Sequence, residues 1–258
     1  MTDPDVLTAL IGHTGFVGSN LAAARRFDRR YNSKTIGEIE GETFSEVVCA
    51  GVSAVKWWAN KHPEQDWAGI VRLMDALRTV KARRFVLIST IDVYRDPRKV
   101  DEEDDPAAEP QHPYGRHRSL LETFVSERFA ERMIVRLPAL FGPGLKKNAL
   151  YDLTHDNQLE VIHPQSKLQW YPIARLAQDL ETWRAAGIGL LNVVTTPVEM
   201  EQIRRRFFPG SVIGGGAASP ACYDVRTRHD ARLGGHSGYL LQATEVLNAM
   251  ELYLRGAA

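Results

Sequence analysis

Three glycines spaced three apart, Gly12, Gly15 and Gly18, follow the mostly apolar, β-forming run Val6-Leu7-Thr8-Ala9-Leu10-Ile11. Ser19-Asn20 and Leu21-Ala22-Ala23-Ala24 then read as the opening of a helix. The pattern implies a buried strand, a tight turn and a helix N-terminus. Glycines let the backbone approach an anion closely, and exposed N–H groups and the helix dipole favour negative charge, so the ligand this turn suits is a pyrophosphate. A glycine-rich strand-to-helix turn with no ligand is the competing reading. Further polar groups stand where chemistry is expected. Ser89-Thr90-Ile91-Asp92-Val93-Tyr94 ends an apolar run, and open α/β sheets place ligands at the carboxyl ends of such strands. Tyr114 and Arg118 are four apart, hence neighbours on one helical face.

The elements that must position these groups follow in order. Phe27–Asn32 reads as a short second strand, ending about twenty residues past Gly12, where a ribose-binding acid stands in NAD-type sites. Here Asn32-Ser33-Lys34 occupies that place, with Arg29 and Arg30 upstream. A hydroxyl and a cation without a carboxylate suit a 2′-phosphate; a solvated basic loop is the alternative. Glu46–Val52 is the next buried strand, too close to the second for a full crossover helix, so the sheet is expected to be trimmed on that side. Trp67, Ile70, Val71, Met74, Leu77 and Val80 fall at helical spacing, with Lys81-Ala82-Arg83-Arg84 closing that helix. Phe85–Thr90 is a central strand, and Asp96–Pro113 an acidic surface loop, with a substrate lid as the sharper reading. A helix opens at Tyr114 with Leu121, Phe124, Val125 and Phe129 inward and His117 at the surface. Met133–Leu137 is a strand, and the pattern grows less regular beyond Gly142. Helices are expected near Asn148–Asp156, Arg175–Ala185, Val198–Phe208 and Gly238–Leu254, and strands at Leu168–Tyr171 and Gly189–Val194.

The fold expected is therefore α/β, a doubly wound (Rossmann) parallel sheet with helices on both faces and a smaller C-terminal substrate-facing lobe. The domains expected are 1–141 for dinucleotide binding and 142–258 for a mixed α/β lobe partly completing the sheet. At 258 residues and 44% hydrophobic, the chain can bury a real core. Lys+Arg and Asp+Glu balance at 32 each, which gives no bulk charge for a nucleic-acid partner. Cys49 and Cys222 lack metal-ligand spacing, and Cys49 reads as a buried small hydrophobe. With no signal-peptide pattern and no run of about 18 apolar residues, no membrane partner and a cytoplasmic setting are expected.

With these pieces in place, the chain resembles the extended short-chain dehydrogenase/reductases, the NAD-dependent epimerase/dehydratase family. The resemblance rests on Gly12-xx-Gly15-xx-Gly18, Ser89-Thr90-Ile91-Asp92-Val93-Tyr94, Tyr114-xxx-Arg118 and Arg136-Leu137-Pro138-Ala139-Leu140-Phe141-Gly142-Pro143. Softer matches are Trp170–Asp179 and Leu191-Asn192-Val193, and the order holds over roughly the first 200 residues. The resemblance implies an NAD(P) cofactor, with NADP(H) favoured by Asn32, Ser33 and Lys34. It implies hydride transfer on a nucleotide sugar or related carbonyl or alcohol compound. Cofactor contacts are expected from Gly12, Thr14, Gly15, Phe16, Val17, Gly18, Ala50, Gly51, Val52, Pro138 and Leu140. Thr90 corresponds to the hydroxyl that hydrogen-bonds the reacting oxygen, and Tyr114 to the tyrosine that exchanges the proton.

A phenol with an ordinary pKa near 10 is a poor base at neutral pH and needs a nearby cation. The family uses a lysine four residues on; here Arg118 stands in that place, which keeps the charge but replaces a compact ammonium with a planar fork. Asp92 matches a carboxylate of sugar-nucleotide dehydratases and is either a second acid/base or a loop cap. Lys146, Asn148 and Trp170 are either substrate contacts, meeting its phosphates or base, or a solvated loop and a packed aromatic. Family analogy adds a homodimer through the Gln65–Val80 and Tyr114–Ala130 helices. The rival function is a catalytically weak NAD(P)-binding redox sensor or scaffold.

Overall fold

The computed structural model describes residues 7–108, 111–216 and 219–256. Val6, and residues 109–110 of the acidic segment, lie outside them. In chain order the elements are β1 (Thr8–Ile11), α1 (Phe16–Ala24), β2 (Arg29–Tyr31), β3 (Thr43–Cys49), α2 (Lys56–Lys61), α3 (Pro63–Leu77), β4 (Lys81–Thr90), α4 (Pro113–Arg128) and β5 (Arg132–Leu137). They continue with β6 (Ala139–Phe141), α5 (Ala149–His155), β7 (Lys167–Leu168), β8 (Trp170–Pro172), α6 (Leu176–Ala185), β9 (Leu190–Asn192), β10 (Val198–Glu199), α7 (Met200–Phe207) and α8 (Ala243–Gly256).

The chain divides into two compact units built from interleaved segments. The first takes the chain up to Arg95, then Asp104–Arg136 and Leu176–Leu191. Its six-stranded sheet has the order β2-β1-β3-β4-β5-β9, and β1 pairs in parallel with both β2 and β3, as β3 does with β4. The strand order reverses at β1, so β1 and β3 flank the switch point where such sheets bind ligands. Alternate residues serve opposite faces. Ala9, Ile11, Val47, Cys49, Phe85, Leu87 and Ile134 form one core with Ile70, Leu73 and Leu77 of α3 and Leu121 and Val125 of α4. Leu10, Val48 and Val86 point the other way, the side on which α1 and α6 pair. Between β2 and β3 only a 3-10 turn, Ile36–Ile39, intervenes, so the sheet is trimmed where the short spacing implied.

Lys81-Ala82-Arg83-Arg84 belongs to β4 and does not close a helix. The register sets Thr43 opposite Lys81 and Glu46 opposite Arg84. Glu46 is buried and meets Arg84 at 3.6 Å and also Arg25, so the basic run balances a buried carboxylate across the strand pair. Helix α3 ends earlier, at Leu77, and Val80 packs in the core from the connection.

The second unit comprises Asp96–Glu103, Leu137–Arg175 and the chain from Asn192 on. The expected single boundary at 141/142 thus becomes an interleaved one. The chain leaves the first unit at Arg136 and returns for α6 and most of β9, because that helix and strand complete the parallel sheet. Within the second unit β6 and β8 pair in parallel and β7 and β10 antiparallel. Buried Gln169 donates to the carbonyls of Thr195 and Val225 and accepts from the Val225 N–H, tying three segments together. Glu102 accepts from the Asn192 N–H, the Thr227 hydroxyl and the Arg228 N–H, so part of the acidic run is structural clamp and not merely solvated loop. Among the described residues no helix is long and apolar enough to cross a membrane, and no cluster of His, Cys, Asp or Glu is placed to hold a metal ion.

Candidate cofactor and reaction site

The three glycines have three different reasons to be glycine. Gly12 turns with φ +86°, and a Cβ there would meet the Ala50 carbonyl oxygen at 2.2 Å. At Gly18 a Cβ would meet the Gly12 carbonyl oxygen at 2.1 Å, so close packing of α1 on the turn excludes one. Gly15, the N-cap of α1, has an ordinary φ of −79°, and its nearest obstacle to a Cβ lies 3.4 Å away. The fold therefore does not require glycine at 15. No side chain caps α1 and its first turn holds no acid. The N–H groups of Phe16 and Val17 stand in the first turn of α1, the part of a helix whose backbone donors lack intrahelical partners. Thr14 is exposed beside them.

A cleft of about 240 Å³ opens beside this turn. Asn32 and Ser33 line it at the end of β2, Gly51 and Val52 beyond β3, and Arg72 from α3. The Asn32 side chain accepts from the Lys34 N–H at 2.8 Å, which shapes the loop and leaves Lys34 exposed outside the lining. Asp66 is the one carboxylate among the lining residues, and it is already committed.

That commitment concerns Arg118. Its terminal nitrogens donate to Asp66 at 2.6 and 2.9 Å and to the Ser53 carbonyl, and its side chain is only 4% exposed. His117 meets the same carboxylate at 2.7 Å and is buried, against the expectation of a surface histidine. Adjacent positions 117 and 118 share one buried acid because Asp66 reaches α4 from α3 between them. Burial alone would raise the Asp66 pKa, but hydrogen bonds from Arg118 and then His117 outweigh it and hold the carboxyl below its ordinary range. Arg118 also stacks its guanidinium 3.8 Å from the Tyr114 ring centre. It therefore acts on the phenol electrostatically, while the nitrogens that would reach a cofactor ribose are taken up by the protein.

Tyr114, Thr90 and Asp92 converge at the carboxyl end of β4. Tyr114 opens α4 and is buried. Burial pushes its phenol up most strongly and Asp92 adds to this, whereas Arg118, the neighbouring Thr90 hydroxyl and Lys56 pull it down; the net direction is upward. Thr90 accepts from the Asp92 N–H at 3.1 Å, capping the 3-10 turn Ile91–Val93. The Asp92 carboxylate pairs with Lys56 at 2.7 Å. Gly115 lets α4 press onto this turn, since a Cβ there would stand 2.3 Å from the Asp92 carbonyl oxygen.

Sequence reasoning missed Lys56, Asn60 and His112. Asn60 accepts from the Tyr114 N–H at 3.0 Å, and the His112 Nδ1 accepts from the Gly115 N–H at 3.0 Å as the N-cap of α4. Helix α2, six residues long, is too short to show a period, so only its i,i+4 polar pair Lys56/Asn60 offered a signal. A second buried network escaped as well: Glu122 takes Arg136 through both oxygens and the Ser89 hydroxyl, and Arg136 donates to the Tyr94 hydroxyl at 2.7 Å.

The remaining expected residues lie in the second unit. Pro138 precedes β6 and Leu140 lies within it; the Leu140 carbonyl accepts from Asn148. Asn148 caps α5, accepting from the Leu150 and Tyr151 N–H groups at 3.1 Å each, so its amide is occupied by the fold rather than offered to a substrate. Trp170 is fully buried in β8. Both side chains help to hold the second unit together. Lys146 is exposed.

Residues 8–155 match the NAD dependent epimerase/dehydratase family. No curated protein matches the sequence. Among solved structures, the dTDP-4-dehydrorhamnose reductase of Clostridium acetobutylicum is 14% identical over 97% of this chain and 99% of its own, with a TM-score of 0.73. The same-named reductase of Bacillus anthracis, solved with NADP, is 18% identical over 91% and 94%, with a TM-score of 0.70. An NAD-dependent NDP-hexosamine 5,6-dehydratase of tunicamycin biosynthesis is 16% identical over 97% of both chains, with a TM-score of 0.75. At these identities the likeness establishes the fold.

Proposed function

Because the chain belongs to the NAD dependent epimerase/dehydratase family, we propose that this NAD(P)-type enzyme is an oxidoreductase or epimerase acting on a nucleotide sugar or a related carbonyl or alcohol compound. The observation that carries the reading is Gly15, a glycine the fold does not need at the mouth of an uncapped helix. Gly12, Gly15 and Gly18, with the Phe16 and Val17 N–H groups, would hold the pyrophosphate. Asn32, Ser33, Gly51 and Val52 would receive the adenosine end. Lys34 at the loop and Arg72 in the cleft favour a 2′-phosphate, because the only lining carboxylate is neutralised by Arg118. NADP(H) is therefore the preferred cofactor in this proposal.

When bound, the nicotinamide exchanges hydride with a substrate carbinol or carbonyl carbon. Tyr114 would exchange the proton at the substrate oxygen, with the Thr90 hydroxyl holding that oxygen. Asp92 lies close enough to Tyr114 to act on its ionisation, where a carboxylate serves proton removal beside a ketone. The neighbours' dTDP-sugar and NDP-hexosamine substrates support the substrate class.

The rival, a dinucleotide-binding sensor with little turnover, is favoured by one feature: Arg118 is fastened to Asp66. Turnover on a panel of nucleotide sugars, followed by nicotinamide absorbance and product analysis, separates the two. The enzyme reading expects activity that Tyr114→Phe reduces by about 100-fold or more while cofactor binding persists. Bound cofactor with no turnover on any panel member would instead establish the sensor.

A further inference from the structure

The reaction centre holds a second cation besides Arg118. A cation near the phenol is what a tyrosine base needs, and the residue four positions after Tyr114 is an arginine buried against Asp66 and the Ser53 carbonyl. Helix α2 brings another cation to the same place. Asn60 accepts from the Tyr114 backbone N–H at 3.0 Å, which fixes α2 against the start of α4. Lys56 lies one helical turn earlier, on the same face. Its ammonium meets the Asp92 carboxylate at 2.7 Å, and Asp92 is held by the hydroxyl of Thr90 at its own N–H. The Lys56 side chain is 39% exposed, whereas that of Arg118 is 4% exposed.

We propose that Lys56 is an electrostatic positioning residue of this centre: paired with Asp92 at the turn that Thr90 caps, its ammonium adds to Arg118 a second positive charge that favours the Tyr114 phenolate. The proposal deepens the functional reading above and rests on it for the role of Tyr114. The charged and titratable groups at this centre come from several elements, and Arg95 also acts on His112. Arg118 from α4 and Lys56 from α2 lower the phenol's pKa, Asp92 raises it, and Asp66 from α3 is spent on Arg118 and His117. His112, the cap of α4, feels burial first and then Lys56, both of which keep it neutral, with Asp92 opposing. Removing the Lys56 charge acts twice on the phenol: it deletes an attraction and unmasks the Asp92 carboxylate.

The test places a ring-fluorinated tyrosine at position 114, whose more acidic phenol ionises while the protein stays folded, and follows its titration by fluorine NMR. Lys56→Met is expected to move the titration to higher pH, and Lys56→Arg to leave it near the parent. Circular dichroism checks that each variant is folded, which the exposure of Lys56 favours. A Lys56→Met titration that overlays the parent, or a Lys56→Arg shift as large as the Met shift, overturns the proposal. The measurement needs no cofactor. A protein that binds no dinucleotide would sink the functional reading without touching this titration; dinucleotide binding with an unmoved titration would sink Lys56 alone.

Discussion

With both terminal nitrogens of Arg118 held by Asp66 and His117 on the same carboxylate, a buried cluster joins α3 to α4 directly behind the phenol. Breaking one partner of such a cluster leaves an uncompensated buried charge, so Asp66→Asn is expected to cost about 3–5 kcal/mol in denaturant unfolding. The folded Asp66 lies below its ordinary carboxyl value, so its stabilisation is full above that value and is lost as pH falls through the folded one. The glycines give a sharper residue-scale contrast. Gly18→Ala should destabilise by about 1–3 kcal/mol through overpacking. Gly15→Ala should change stability by less than about 1 kcal/mol yet weaken dinucleotide affinity by about tenfold or more. An equal loss of stability at both would contradict the argument that only Gly15 is reserved for a ligand. At this scale the sequence showed the types and spacing of the glycines, Thr90, Tyr114 and Arg118. It could not show that Arg118 is spent on Asp66, since that pairing spans 52 residues and two helices. His117 was misread for the same reason.

At the scale of elements, α4 depends on an unusual cap. The His112 Nδ1 must be unprotonated to accept the Gly115 N–H, and burial, then Lys56, lower its pKa below the ordinary value of 6.5. The unfolded chain then binds this proton more readily than the folded one. The cap's stabilisation is present above about pH 6.5 and is lost as pH falls through the folded value. His112→Ala should cost about 1 kcal/mol at neutral pH, and the variant's stability should fall less steeply below that pH. A variant with the parent's pH dependence would remove His112 from this role. The central strands and α3 were readable because buried apolar runs and a 3.6-residue stripe are strong signals. The basic start of β4 was not, because Arg84 is explained only by Glu46 on the neighbouring strand. The short pairs β6/β8 and β7/β10 carry too few residues for a period to appear.

For the whole molecule, the interleaved division explains why a single boundary was expected near 141. The chain leaves the first unit at Arg136, near that change in regularity, and α6 and β9 return to the sheet that 142–258 was expected to complete in part. We propose a homodimer through α3 and α4, on the family analogy given above. Leu120, 41% exposed on α4, is an apolar residue such an interface would cover. Light scattering is expected to give twice the 28.9 kDa chain mass, and Leu120→Glu to give the single mass. A single mass for the parent would remove the dimer. The central claim, that the Gly12–Gly18 turn is a dinucleotide site, is tested most directly by fluorescence titration of the purified protein with NADPH and, separately, NADH, after a spectrum has excluded carried-over cofactor. The account predicts saturable binding of both, tighter for NADPH and weakened by Gly15→Ala; no binding of either would contradict it.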